Sequence, residues 1–138
     1  MTIDFNPDRS IQELERDNWG NPPQDTTGLV QAVYTLRQRP LGSLSAYELG
    51  RLIGQSVGLR WTLPLALKVL RDTVDDNNRG GFYDDDLLSA VLSRKSDTWN
   101  NFPELAKETK EIVSLLINLT PDMERQVKRF HKASEGSA

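Results

Sequence analysis

Apolar positions along this chain recur at intervals of three and four residues, the spacing of one helical face, from about residue 10 almost to the end. SIQELER opens the pattern, with Ile11 and Leu14 on one face and Ser10 placed as the N-cap. Gly20, Pro22 and Pro23 in NWGNPPQDTT then break it. From about Gly28, Leu29, Val33 and Leu36 mark a second helix that ends before Pro40. SLSAYELGRLIGQSVGL carries a Ser45–Glu48 capping box, a buried stripe of Leu49, Leu52, Ile53 and Val57, and Gly58 as its terminating glycine. In WTLPLALKVLRDTVDD, Pro64 falls in the first turn and Leu63, Leu67, Leu70 and Val74 face inward. DLLSAVLS turns Leu87, Leu88, Val91 and Leu92 to the core. PELAKETKEIVSLLINL begins at Pro103 and buries Leu105, Ile112, Val113, Leu116 and Leu119. TPDMERQVKRFHK begins with Thr120, Pro121 and a stretched capping box to Glu124. No segment alternates with a period of two. The pattern predicts an all-α, single-domain orthogonal bundle of about six or seven short helices over residues 1–138, with flexible ends near 1–8 and 133–138.

The length of 138 residues suits one domain with a real core. With no cysteine there is no disulfide framework, no thiolate zinc site and no cysteine nucleophile, which favours a reducing compartment. The first residues, MTIDFNPDRS, lack the basic-then-apolar layout of a secretory leader, and no apolar run approaches the roughly 20 residues that span a bilayer. The expectation is a soluble, cytoplasmic protein without membrane contact. A net charge of −3 argues against direct nucleic-acid binding and leaves room for a basic protein partner.

The densest charge lies in DDNNRGGFYDDD, Asp75 to Asp86. As a calcium loop it would use Asp75, Asn77, Gly80, Phe82 and Asp86 at positions one, three, six, eight and twelve. Arg79 then occupies a position that needs an oxygen ligand, and Asp86 is a methylene shorter than the usual closing glutamate. A catalytic carboxylate pair needs partial desolvation, which a glycine-rich turn of consecutive aspartates does not provide. His131, the one histidine, reads as a surface residue, and no enzyme signature, cofactor site or metal site emerges. A helix start explains part of the charge, since Asp84, Asp85 and Asp86 precede an apolar run and Asp86 is placed to cap it. Asp72, Asp75 and Asp76 are different: they lie near the end of the preceding helix, on one face, where they oppose the dipole and repel one another. Such a cluster is either a solvated face or a docking surface for a basic partner, and Asp84 and Asp85 extend it.

Trp19 and Trp61 sit at element boundaries and read as anchors that hold loops to the core. Trp99, in the polar loop-like SDTWNNFP, is the better interface candidate. Arg125, Lys128, Arg129 and Lys132 give the last helix a basic, solvated face.

Five strings in order, LERDNWGNP, LRQRPLGSL, LIGQSVGL, LPLAL and GFYDDDLLSAVL, resemble the small helical immunity proteins of contact-dependent growth inhibition systems, the CdiI type, over about residues 10 to 92. The resemblance implies a non-enzymatic partner protein, monomeric in a 1:1 complex. It would bind the C-terminal toxin domain of a cognate CdiA, a basic nuclease that in one branch of such systems has an RNase A-like fold. In the family pattern the last string reads Tyr–x–Gly–Asp–Leu–Leu. Tyr83, Asp86, Leu87 and Leu88 match it, whereas Asp85 replaces the glycine. The matching residues then read as fold-makers. The partner-specific surface is expected at Asp72, Asp75, Asp76, Asp84, Asp85 and Trp99, with the acidic first helix (Glu13, Glu15 and Asp17) as the alternative.

Overall fold

The computed structural model describes residues 5–78, 85–116 and 119–135. Within them the chain forms α1 (Ile11–Glu15), α2 (Gly28–Leu36), α3 (Ala46–Gly54), α4 (Leu59–Asn78), α5 (Asp85–Leu92), α6 (Ser96–Asn101), α7 (Pro103–Leu115) and α8 (Pro121–Glu135). A 3-10 turn covers Leu41–Ser43. No strand occurs among the described residues, only an isolated bridge between Ser10 and Pro40. The all-α expectation holds, with one helix more than the pattern indicated: α6 is six polar-looking residues whose Lys95 N-cap makes no side-chain bond.

Local chemistry sets most of the boundaries. The Ser10 hydroxyl accepts from the Glu13 N–H at 3.1 Å while the Glu13 carboxylate accepts from the Ser10 N–H at 3.1 Å, a closed capping box. Ser45 and Glu48 repeat it at 3.1 and 2.9 Å. Thr27 caps α2 through the Val30 N–H, and Thr120 caps α8 through the Met123 N–H. Pro103 occupies the first turn of α7, where its missing N–H costs no helical bond.

Two boundaries differ from the pattern. Helix α3 stops at Gly54, and Ser56, not Gly58, is the residue that takes a left-handed conformation just past its C-cap. Gly58, at φ +59°, instead starts α4, its carbonyl accepting from the N–H groups of Trp61 and Thr62. Because α4 begins at Leu59, Pro64 lies in its second turn and leaves the Arg60 carbonyl without an i+4 donor.

Helix α3 packs on α4 and α5, α4 on α7, and α5 on α8, while α6 is wedged against α7 and α8. The core is continuous from Ile11 of α1 to Phe130 of α8, through Leu52, Ile53, Leu63, Leu67, Leu87, Leu88, Val91, Trp99 and Ile112. Leu105, Leu116 and Leu119 are only partly buried, and Ala106 and Thr109 take the inner face of α7 instead. No helix among the described residues is long and apolar enough to cross a membrane.

Candidate interaction surface

The acidic residues singled out by the sequence lie on two elements. Asp72 is exposed on α4, Asp75 and Asp76 belong to the last turns of the same helix, and Asp85 is the first residue of α5. Asp84 lies outside the described residues, as do Gly80 and Phe82 of the calcium reading. That reading also fails on backbone grounds. Helix α4 continues through Asn78, so Asp75 and Asn77 are helical where a calcium loop would have to begin. Among the described residues no three His, Asp or Glu side chains converge on a metal position. Asp86 is corrected as well: with α5 starting at Asp85 it is an exposed residue of the first turn, where it favours the dipole without being the cap.

Among the described residues Asp72 and Asp86 have no internal partner, a property they share with the exposed Asp8, Asp25, Glu104, Glu124 and Glu135. Glu15 pairs with Arg37 at 2.5 Å, Glu48 with Arg39 at 2.5 Å, Glu108 with Arg71 at 2.5 Å and Asp122 with Arg125 at 3.3 Å. Asp17 accepts from the Trp19 indole N–H at 3.2 Å. Asp72 and Asp86 make no ion pair or hydrogen bond to a described residue, so their charge is directed to solvent. The alternative surface on the first helix is weaker by the same test. Glu13 is held by Arg9 at 2.9 Å and by the Ser10 N–H, both of which lower its pKa below the ordinary glutamate value, and Glu15 and Asp17 are engaged with Arg37 and Trp19.

Trp99 is in the core and not on the surface where the sequence placed it. It lies in α6, is 0% exposed, and meets Phe130 of α8 edge to face at 5.2 Å between ring centroids. Asp97, Asn100 and Asn101 around it face out while Thr98 and the indole turn in. Trp61 is partly buried against the core, as expected of a boundary tryptophan. Trp19 remains 42% exposed, but its ring is covered by the Arg37 guanidinium at 3.7 Å and by Tyr34 edge-on at 5.1 Å.

Arg37 is the residue that sequence reasoning missed. It is 1% exposed, bonds Glu15 and the Asp17 carbonyl, and stacks on Trp19. Its spacing of four from the buried Val33 carried the signal, since that position on α2 faces inward. This cluster joins two of the family-like strings: LERDNWGNP supplies Glu15, Asp17 and Trp19, and LRQRPLGSL supplies Arg37. The third, LIGQSVGL, sets Gly58 against Ile11, and the last supplies Leu87, Leu88, Val91 and Leu92 to the core. The strings that carry the resemblance therefore build the fold.

No curated protein and no solved structure matches the chain. A family model, that of the CDI immunity proteins, matches residues 13–109, from α1 into α7. With the helical fold, the shared strings and that match over more than half its length, the chain belongs to the CDI immunity protein family, whose members neutralise a cognate CdiA toxin domain.

Proposed function

We propose that this protein neutralises its toxin by stoichiometric 1:1 binding in the cytoplasm, without catalysis, and that the toxin is a basic nuclease, such as the RNase A-like toxins that one branch of these systems carries. The observation that carries this reading is the family match over residues 13–109. The charge pattern supports the choice of a basic partner. A nuclease cleft is lined with cations that hold phosphate, and unpaired carboxylates steer an inhibitor to it and keep substrate out. Asp72, Asp75 and Asp76 on the end of α4, together with Asp84 and Asp85, are assigned to that surface.

Co-expression with the C-terminal toxin domain encoded by the neighbouring upstream reading frame is expected to rescue growth, and the purified pair is expected to co-elute at 1:1. A pair that fails to co-elute sinks the proposal. The surface assignment has its own test: lysine at Asp72, Asp75 and Asp76 is expected to slow association about tenfold or more at low salt, with little change at high salt. An unchanged association rate would move the interface elsewhere.

A further inference from the structure

Arg94, just past α5, is a half-buried cation that bonds only neutral atoms. Its Nε donates to the Ala90 carbonyl at 3.0 Å and its Nη1 to the Ser56 hydroxyl at 2.9 Å. No carboxylate of a described residue lies within ion-pairing distance of it, whereas Arg37, Arg39 and Arg71 each hold a glutamate. A guanidinium has five N–H donors, so three of those on Arg94 have no acceptor among the described residues. Burial pushes its pKa below the ordinary arginine value, yet it stays charged at neutral pH. A cation partly stripped of water and left with spare donors favours an anionic partner.

Two cavities meet at this residue. A cleft of ≈ 540 Å³ opens between the end of α3, the start of α4 and α6, and a smaller one of ≈ 200 Å³ lies between the end of α5 and α8. Arg94 and Lys95 line both. Asp97 lines the first, with one oxygen accepting from the Thr98 N–H at 2.9 Å, and Arg129 lines the second. Lys95 and Arg129 are exposed. Three cations and one carboxylate thus gather on a chain whose overall charge is −3, a local reversal of sign.

Resting on the immunity reading above, we propose that these joined cavities form a carboxylate-binding cleft that receives an acidic side chain of the toxin domain. The guanidinium fork suits a carboxylate, and the larger cleft has room for the stem that carries it. A nucleic-acid backbone is a poorer occupant, because it needs a row of cations, and here Asp97 interrupts a group of three. The complex is then held at two places of opposite sign: acidic residues at the α4–α5 end meet the basic face of the toxin, and Arg94 takes one of its carboxylates.

The test measures affinity for the purified toxin domain with the wild-type chain, with Arg94→Ala, and with the double variant Lys95→Glu/Arg129→Glu. Arg94→Ala is expected to weaken binding at least tenfold, mainly through faster dissociation. The double variant changes only exposed residues, so it decides the matter even if loss of the Ser56 bond unfolds Arg94→Ala; it is expected to weaken binding by tenfold or more. Wild-type binding with a double variant of equal affinity overturns the cleft. A parallel arm follows melting temperature with millimolar inorganic phosphate. Stabilisation by phosphate that needs Arg94, with toxin affinity indifferent to both variants, would make this a site for a small oxyanion and also overturn the proposal. A wild-type chain that does not bind the toxin at all is a different result, because it removes the immunity reading itself.

Discussion

Glu15→Ala is expected to be among the most destabilising changes on the surface of this protein, although the glutamate is itself partly exposed. The reason lies in its partner. Arg37 has a side chain 1% accessible, and Glu15, 31% accessible, is the only carboxylate among the described residues that neutralises it. Removing Glu15 leaves a buried guanidinium with the Asp17 carbonyl at 2.9 Å, the face of Trp19 at 3.7 Å, and a buried Nε that has no acceptor among the described residues. Breaking a fully buried pair costs about 3–5 kcal/mol. Because nearly a third of Glu15 is in water, that figure falls to about 2–3 kcal/mol. For a chain of this length the melting temperature would drop on the order of 10 °C. Urea unfolding of Glu15→Ala, Arg37→Met and the double variant Glu15→Leu/Arg37→Met measures it. The double variant is expected to recover most of the loss, since replacing both members with apolar groups removes the orphaned charge. Asp122→Ala, which breaks the exposed pair with Arg125, is the control, with an expected cost under about 1 kcal/mol. If Glu15→Ala costs no more than Asp122→Ala, Arg37 does not depend on Glu15 and the reasoning fails.

Three further outcomes are expected. Trp99→Phe is predicted to cost about 1–2 kcal/mol, the cavity left by the smaller ring, because the buried indole N–H has no acceptor among the described residues and phenylalanine keeps the edge-to-face contact with Phe130; a loss beyond about 3 kcal/mol would contradict this. Gly58→Ala is predicted to destabilise by about 2 kcal/mol or more, since φ is +59° and an added Cβ would come within 2.8 Å of Ile11 Cδ1; calorimetric melting that shows no shift would contradict this. Glu13 and Glu48 both have pKa values lowered in the folded state, Glu13 chiefly by the Arg9 hydrogen bond and Glu48 chiefly by the Ser45 N–H. Their contribution is present above the ordinary glutamate value of about 4.3 and is lost as pH falls through the lowered folded values. The Glu13→Gln/Glu48→Gln variant is therefore expected to lose stability less steeply than wild type in acid unfolding.

The legible parts of this structure are those decided within a turn or two of sequence. The Ser45–Glu48 box is readable because its members lie three residues apart, Ser10 as a cap because an apolar face starts right after it, and Leu87, Leu88, Val91 and Leu92 because one helical face buries all four. What escaped reading depends on partners far along the chain. Arg37 is buried because Glu15 lies 22 residues back, and Arg94 is fixed by Ser56, 38 residues back. Trp99 looked exposed because its neighbours are polar, yet α8 arrives to cover it. Gly58 was assigned to the wrong helix since a glycine suits a helix end and a helix start equally well, and only the packing against Ile11 separates them. The acidic residues were legible as charge. Their lack of partners was not, because it follows from where Arg37, Arg39 and Arg71 each find a glutamate in the fold.

The pairing of Trp99 with Phe130 bears on how such a chain can be recombined. The family-matched segment ends at residue 109, inside α7, so it contains the tryptophan and excludes the phenylalanine that covers it. A genetic crossover at that boundary would join one parent's α6 to another parent's α8, and with them two halves of a single aromatic contact. Chimeras are expected to fold when α6 and α8 descend from the same parent. The segment that defines the family and the segment that can be inherited as a working unit are not the same length.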